Sequence, residues 1–153
     1  MAALIESLKN TPFGVAGSEK HVAGGTIAVG DIVVRALGAV SVTAAATGTP
    51  VVGTDYVVGI AETAAVSGET VNVTPIIPGQ IYMLPPLTAA SWDTQAEYNA
   101  LVGKRVVFDL TAGVYTVGHT DSANNGLVVR YIDIKKFPGR VAFSFRDALS
   151  DLS

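Results

Sequence analysis

Short runs of β-branched residues, separated every few positions by Gly, Pro, Asn or Asp, recur along most of the chain from Thr26 onward. Val and Ile favour a pleated strand, because branching at Cβ restricts their side-chain rotation in a helix. Apolar and polar residues alternate strictly in Thr70–Pro75, which predicts a strand with Val71 and Val73 on its buried face. The repeated pattern predicts an all-β fold, either a small β-barrel or a β-sandwich.

The predicted strands follow from these runs and from the turns between them. They span residues 31–36, 40–46, 56–61, 70–75, 80–84, 104–110, 114–117, 127–134 and 140–145. Gly59 lies inside one of them, and an internal glycine often marks a bulge or a bend. One short helix is predicted over residues 94–102, because Asp93 or Thr94 can cap its free N–H groups and Gly103 can end it.

Residues 1–25 differ from the rest of the chain. They are rich in Gly and show no clean period over most of their length, which predicts an extended N-terminal arm, followed by a β domain over residues 26–153. Ile5 and Leu8 share one side of an amphipathic turn that is too short to be stable alone. Two interpretations remain open: an arm that reaches a neighbouring subunit, and a frayed terminus.

Charge is scarce and unevenly distributed. Charged residues make up 15% of the chain, below the roughly 25% that is typical of soluble domains, so a partner is expected to cover part of the surface. The net charge of −3 argues against direct nucleic-acid binding. Residues 31–102 carry one base and six acids, whereas residues 103–146 carry seven bases and three acids. Such asymmetry can orient copies of a protein against each other or against a larger shell, although ordinary surface variation also produces it.

The residues needed for catalysis or metal binding are sparse. The chain has no Cys, and its two histidines, His21 and His119, lack a partner at metal-ligand spacing. Neither a Gly-x-Ser-x-Gly elbow nor a phosphate-binding loop is present. Residues 121–126 contain Asp, Ser and Asn oxygens, but they lack EF-hand spacing and are more typical of a turn. We therefore predict no catalytic residues, no cofactor and no metal, and a protein that is not an enzyme; a hydrolase with a dispersed active site is the remaining alternative.

Two further features bear on the partners. The first nine residues have no basic region or long apolar run, so no secretory signal is predicted, and no stretch approaches the roughly 18 apolar residues that span a bilayer. Trp92, Tyr82 and Tyr115 would stack on sugars if they shared an exposed face, which keeps a carbohydrate- or receptor-binding β-sandwich module open as an alternative.

Three segments together resemble the capsid decoration (cement) proteins of tailed phages. The first combines Gly30–Val34 with Val58–Ala61 and Ser67–Val73, and the second runs from Trp92 to Phe108. The third is Gly113–Val117 leading to Asn125–Val129. Their order matches that of the family, and they span roughly residues 26–145. The second segment is the most specific of the three.

The resemblance implies a small β-barrel or β-sandwich on the outer surface of a virion capsid, commonly a homotrimer at local three-fold positions. It implies the major capsid protein and further copies of the chain as partners, and no catalytic residues. No matched motif assigns contact residues. From the sequence of the arm we predict Ile5, Leu8 and Phe13 as contacts with the capsid or with a neighbouring subunit.

Overall fold

The computed structural model describes residues 18–146 apart from Pro78. This part of the chain contains eleven strands, one α-helix and one 3₁₀ turn at Ala89–Ser91. The strands are β1 (Glu19–Val22), β2 (Ile32–Ala36), β3 (Thr43–Ala44), β4 (Asp55–Ala61), β5 (Thr70–Pro75), β6 (Tyr82–Leu84), β7 (Arg105–Val106), β8 (Phe108–Thr111), β9 (Val114–Val117), β10 (Leu127–Arg130) and β11 (Val141–Phe145), and the helix is α1 (Gln95–Leu101). The predicted all-β class with one short helix is confirmed.

The first five strands form an antiparallel sheet that closes on itself. Their order is β1-β5-β4-β2-β3, so β1 and β3 lie at its two edges. These edges meet where the Val42 N–H donates to the Val22 carbonyl at 2.9 Å and the Gly24 N–H donates to the Val42 carbonyl at 2.7 Å. The closed sheet is a small barrel, whose interior consists of Ala23, Ile27, Val33, Val42, Val58, Ala61, Ala65, Val71 and Val73. Only small and β-branched side chains fill this interior, as the narrow diameter of a five-stranded barrel requires.

A bulge in β4 shapes this barrel. Val33 is paired with Gly59 and Val34 with Val57, so Val58 is the extra residue. A Cβ atom on Gly59 would lie 2.0 Å from the Thr74 carbonyl oxygen of the neighbouring strand, which explains why glycine stands there. The predicted bulge or bend at this glycine is confirmed.

The second layer packs against the outside of the barrel. It consists of a four-stranded antiparallel sheet, in the order β6-β11-β10-β7, and of the β8–β9 hairpin. The core between these elements and the barrel contains Ile32, Val34, Val57 and Ile60 from β2 and β4. We call this core the main core. It contains all seven buried aromatic side chains of the described chain: Tyr82, Trp92, Tyr98, Phe108, Tyr115, Phe143 and Phe145.

Helix α1 begins with the predicted cap. The Thr94 hydroxyl accepts a hydrogen bond from the Glu97 N–H at 3.2 Å, and the Glu97 carboxylate accepts one from the Thr94 N–H, also at 3.2 Å. Gly103, at φ +84°, follows the helix as predicted. The buried Tyr98 hydroxyl donates to the Arg130 carbonyl at 2.7 Å and accepts from the Ala142 N–H at 2.9 Å. Through these two hydrogen bonds, Tyr98 holds α1 against the paired strands β10 and β11.

Four predicted boundaries need correction. The predicted strand 104–110 is divided at Val107 into β7 and β8, which belong to different sheets. The predicted strand 127–134 ends at Arg130. Of the predicted strand 40–46, only Thr43–Ala44 is a strand, with a single bridge at Val42.

The fourth correction concerns the predicted N-terminal arm, residues 1–25. Residues 1–17 lie outside the described residues. Glu19–Val22, however, form β1 and pair with Thr70–Val73 of β5, so this part of the predicted arm belongs to the barrel. The barrel therefore includes residues that precede the predicted boundary at residue 26.

Candidate interaction surfaces

The three contact residues predicted from the sequence cannot be placed on a surface. Ile5, Leu8 and Phe13 lie outside the described residues. The chain from Met1 to Gly17 continues into Ser18, directly before β1. Whatever this segment contacts, its attachment point is the edge strand of the barrel.

The proposed aromatic face for sugar stacking is absent. Tyr82 and Tyr115 are 1% exposed and Trp92 is 4% exposed. The Tyr115 hydroxyl donates to the Ala45 carbonyl at 2.7 Å, and the Tyr82 hydroxyl accepts from the Ile77 N–H at 3.1 Å. Burial raises the pKa of both hydroxyls above the usual range of tyrosine. These rings are core residues, so the condition that would have supported the carbohydrate-binding alternative, one exposed aromatic face, is not met.

Trp92 lies beside a small apolar pocket of about 130 Å³, lined by Pro86, Ile134, Pro138 and Arg140 among others. Its ring packs edge-to-face on Tyr98, with the ring centroids 5.4 Å apart. The indole N–H is buried, and it has no hydrogen-bond partner within the described part of the chain. The pocket has room for one aliphatic side chain of a partner, because a cavity of about 150 Å³ holds a benzene molecule.

A larger groove of about 390 Å³ opens between β8 and the loop that follows β9. His119, Asp109, Ser122 and Asn125 are among the residues that line it. The Asp109 carboxylate accepts from the Thr111 hydroxyl at 2.8 Å and from the Thr47 hydroxyl at 3.4 Å. Sequence reasoning did not bring this histidine and this carboxylate together, because 10 positions separate them. No hydrogen bond joins the two side chains within residues 18–146, so the groove lacks the base–orienter contact of a catalytic triad.

The loop at residues 121–126 is built as a turn. The Asp121 carboxylate accepts from the Arg105 backbone N–H at 2.8 Å and from the Arg105 guanidinium at 3.3 Å. These hydrogen bonds hold the pKa of Asp121 below its usual value. The Asn125 amide donates to the Arg105 and Thr120 carbonyls, each at 3.1 Å. Among the described residues, no group of three or more His, Asp or Glu side chains is placed to hold a metal ion.

One end of the barrel presents an acidic, aliphatic surface. It is formed by residues 22–31 and 61–70, which we call the acidic rim; they are joined by paired hydrogen bonds between Ile27 and Ala65 at 2.8 and 3.0 Å. Val22, Val29 and Val66 are each more than half exposed there. The two segments carry three carboxylates, Asp31, Glu62 and Glu69, and no base.

The connection between β10 and β11 presents the opposite chemistry. Residues 130–140, which we call the basic loop, carry four bases, Arg130, Lys135, Lys136 and Arg140, against one acid. Tyr131 and Phe137 are 61% and 41% exposed, and they are the two exposed aromatic residues of the described chain. An ordered loop of bases and exposed aromatics is a typical protein-binding surface, since aromatic and Arg side chains dominate interface energies.

Comparisons with known proteins assign no identity to these surfaces. A scan against protein-family models found no match. A search of curated proteins found no significant match. Within the described residues, no helix has the length and apolar character needed to cross a bilayer.

Proposed function

We propose that this protein is a structural capsid decoration protein. It binds the exterior of a phage head, contacts the major capsid protein and bridges neighbouring capsomers, so that the shell is stabilised. The three segments that resemble cement proteins support this proposal, and they fall on β2, β4, β5, α1 and the strands around them. The observation that carries it furthest is the number of large apolar side chains that the described surface leaves exposed.

These exposed side chains fit a protein that works by contact. Eleven large hydrophobic residues of the described chain are exposed, and Val40 reaches 95%. Single exposed hydrophobics are ordinary, but clustered ones mark surfaces that a partner covers. Three of them lie on the acidic rim, close to the strand on which residues 1–17 enter the fold.

A decoration protein needs only moderate affinity at each site. Many copies bind one shell, and each copy that touches two capsomers gains from the high effective concentration of the second contact. Because Tyr82, Tyr115 and Trp92 are buried, the carbohydrate-binding alternative lacks the exposed aromatic face that would have supported it. We therefore retain capsid decoration as the single proposal.

Co-sedimentation with phage heads tests the proposal. We expect the full chain to pellet with expanded, DNA-free heads in a saturable manner and to raise the temperature at which those heads break open. The variant Ile5→Ser/Leu8→Ser/Phe13→Ser should bind at least tenfold more weakly if the N-terminal segment supplies the contact. Ser7→Ala/Thr11→Ala, which changes two polar residues of the same N-terminal segment, is the matched control and should bind normally. If the wild-type protein neither pelleted with heads nor altered their stability, the proposal would be abandoned.

A further inference from the structure

The acidic rim and the basic loop match each other in charge. The rim carries three carboxylates without a base, and the loop carries four bases with one acid. Both surfaces belong to one chain, so every copy offers one of each. Opposite charges brought together steer association and fix orientation, although each exposed pair adds little energy by itself.

The two surfaces also match in their apolar groups. The rim exposes three valines, whereas the loop exposes Tyr131 and Phe137. Beside the loop lies the pocket of about 130 Å³ that Ile134, Pro138 and Arg140 help to line. A valine side chain is small enough to enter such a pocket, with a carboxylate of the rim left to meet Arg140. Apolar contact inside a ring of charges is the usual anatomy of a specific interface.

The basic loop is held in place before any partner arrives. The Gln95 side-chain amide donates to the Ile132 carbonyl at 3.1 Å, and its oxygen accepts from the Ile134 N–H at 3.1 Å. The Asp133 carbonyl accepts from the Lys136 and Phe137 N–H groups at 3.0 and 3.1 Å. Ordering this loop therefore costs little when a partner binds.

The rim is equally fixed. The Glu69 carboxylate accepts from the Val66 N–H at 3.0 Å, and the Asp31 carboxylate accepts from the Ala28 N–H at 2.8 Å. These bonds hold the exposed valines and the carboxylates in one arrangement. Both surfaces are thus preorganised, which is the condition under which modest areas give measurable affinity.

We infer that the basic loop of one copy binds the acidic rim of a second copy. The contact is head-to-tail, because it joins two different surfaces, and repeated contacts of this kind close into a ring when the rotation allows it. The inference deepens the proposed function and rests on it for its biological role, because copies joined in this way would present their capsid-binding surfaces together. A nucleic acid fits the loop less well, since Asp93 lines the same pocket as Arg140 and Glu97 lies beside Asp93.

Sedimentation velocity of the free, full-length protein tests this contact without a shell. We expect wild-type protein to associate at 50 mM NaCl and to associate at least tenfold more weakly at 1 M NaCl, where the screening length falls to about 3 Å. Lys135→Glu/Lys136→Glu should raise the dissociation constant about tenfold or more. Lys20→Glu, a base on the barrel half of the chain, is the charge control and should not weaken association.

A mixing experiment assigns the partner surface. Glu62→Lys/Glu69→Lys should also fail to associate alone, but a mixture of the loop-reversed and rim-reversed variants should associate, because each supplies the charge that the other needs. Glu62→Gln/Glu69→Gln retains hydrogen-bond acceptors at these positions and reports whether the local fold survives. Should a reversal unfold the protein, Tyr131→Ser/Phe137→Ser tests the same contact through two exposed side chains.

Each outcome is decisive. Wild-type protein that stays monomeric at 0.1 mM in low salt overturns the inference, and so does association that the loop reversal leaves unchanged. If the loop reversal abolishes head binding but leaves self-association intact, the loop faces the shell; the inference then fails and the proposed function stands. If self-association follows the predicted pattern but the protein never binds heads, the proposed function fails and the inference stands.

Discussion

Gly59 shows how a single position determines the course of β4. It sits beside the bulge at Val58, and the Thr74 carbonyl of β5 lies where its Cβ would be. Without that close approach, β4 and β5 could not pair at Gly59 and Pro75, the first pair of their ladder. The glycine therefore permits the tight curvature through which five strands close into a barrel.

Gly59→Ala should destabilise the fold strongly. The added methyl group meets backbone rather than a flexible side chain, so strands must move apart, and we expect the free energy of unfolding to fall by about 3 kcal/mol. Gly25→Ala is the control, because nothing lies within 4 Å of a Cβ at that position. Its effect should stay within about 0.5 kcal/mol. Urea denaturation of both variants gives the comparison; equal stabilities would refute the steric argument.

Three buried tyrosine hydroxyls make the fold sensitive to alkali. Burial raises the pKa of Tyr82, Tyr98 and Tyr115 above the usual value of 10.0. Above about pH 10 the unfolded chain therefore loses phenolic protons that the folded chain keeps, so stability falls as pH rises further. We expect full tyrosine-dependent stability below about pH 10 and a steep decline above it, measured by thermal unfolding across pH 8–12. A melting temperature that stays constant over this range would contradict the prediction.

At the scale of elements, the side chain of Gln95 forms the backbone hydrogen bonds that a neighbouring strand would otherwise supply to residues 132–134. Residues 131–134 alternate like a strand, and Ile132 and Ile134 both contribute to the main core. The Ile132 carbonyl and the Ile134 N–H nevertheless bond to the amide of Gln95 instead of a neighbouring backbone. This explains why the predicted strand 127–134 ends at Arg130. The alternation correctly indicated that Ile132 and Ile134 pack into the main core, but their backbone groups bond to a side chain and not to another strand.

The N-terminal cap of α1 offers a test at the same scale. Thr94→Ala removes a side-chain acceptor for the Glu97 N–H and should cost about 1 kcal/mol. Thr88→Ala is a matched control, because Thr88 precedes the 3₁₀ turn and makes no side-chain cap hydrogen bond. The cost at Thr94 should therefore exceed that at Thr88 in thermal or urea unfolding. A smaller loss at Thr94 than at Thr88 would show that the cap does not stabilise α1.

Local patterns predicted elements well where one segment supplied both the periodicity and its boundaries. β5 and α1 are such cases, since the alternation in Thr70–Pro75 and the cap at Thr94 are visible in a few residues. The division at Val107 could not be predicted, because the apolar pattern of residues 104–110 continues through the point where the chain changes sheets. β1 was missed for a related reason: three of its four residues are polar, three are exposed, and its pairing with β5 is what makes it a strand. The acidic rim joins two segments that are distant in sequence, so their grouping could not be predicted. The basic loop is contiguous, but the predicted strand 127–134 covered its first half, so it was not recognised as a loop.

At the scale of the whole molecule, one sheet serves two cores. Along β2, Ile32 and Val34 face the main core, whereas Val33 between them faces the barrel interior. β4 does the same with Val57 and Val58. Because β2 and β4 contribute buried side chains to both cores, neither core can unfold without exposing residues of the other. The stabilities of the two cores are therefore coupled.

We therefore expect residues 18–146 to unfold in one cooperative transition. Among the described residues, the buried aromatic rings lie in the main core and none lies in the barrel interior, so near-ultraviolet circular dichroism reports on the main core. Amide exchange at Val71 and Val73 reports on the barrel. The free energies from the two measurements should agree within error. If the free energy of opening measured for the barrel amides were much smaller than the free energy of unfolding of the main core, the barrel would unfold separately.

The closure of the barrel at Val42 also has a mechanical consequence. Residues 1–17 enter the fold at Ser18, so tension on them passes first into β1. That strand has four paired positions with β5, and the residues after it bond to Val42. A pull along the strand loads these bonds together, and bonds loaded together resist far more force than bonds opened one after another. The most polar strand of the barrel is thus the one that would bear the strain if the N-terminal segment were held by an expanding shell.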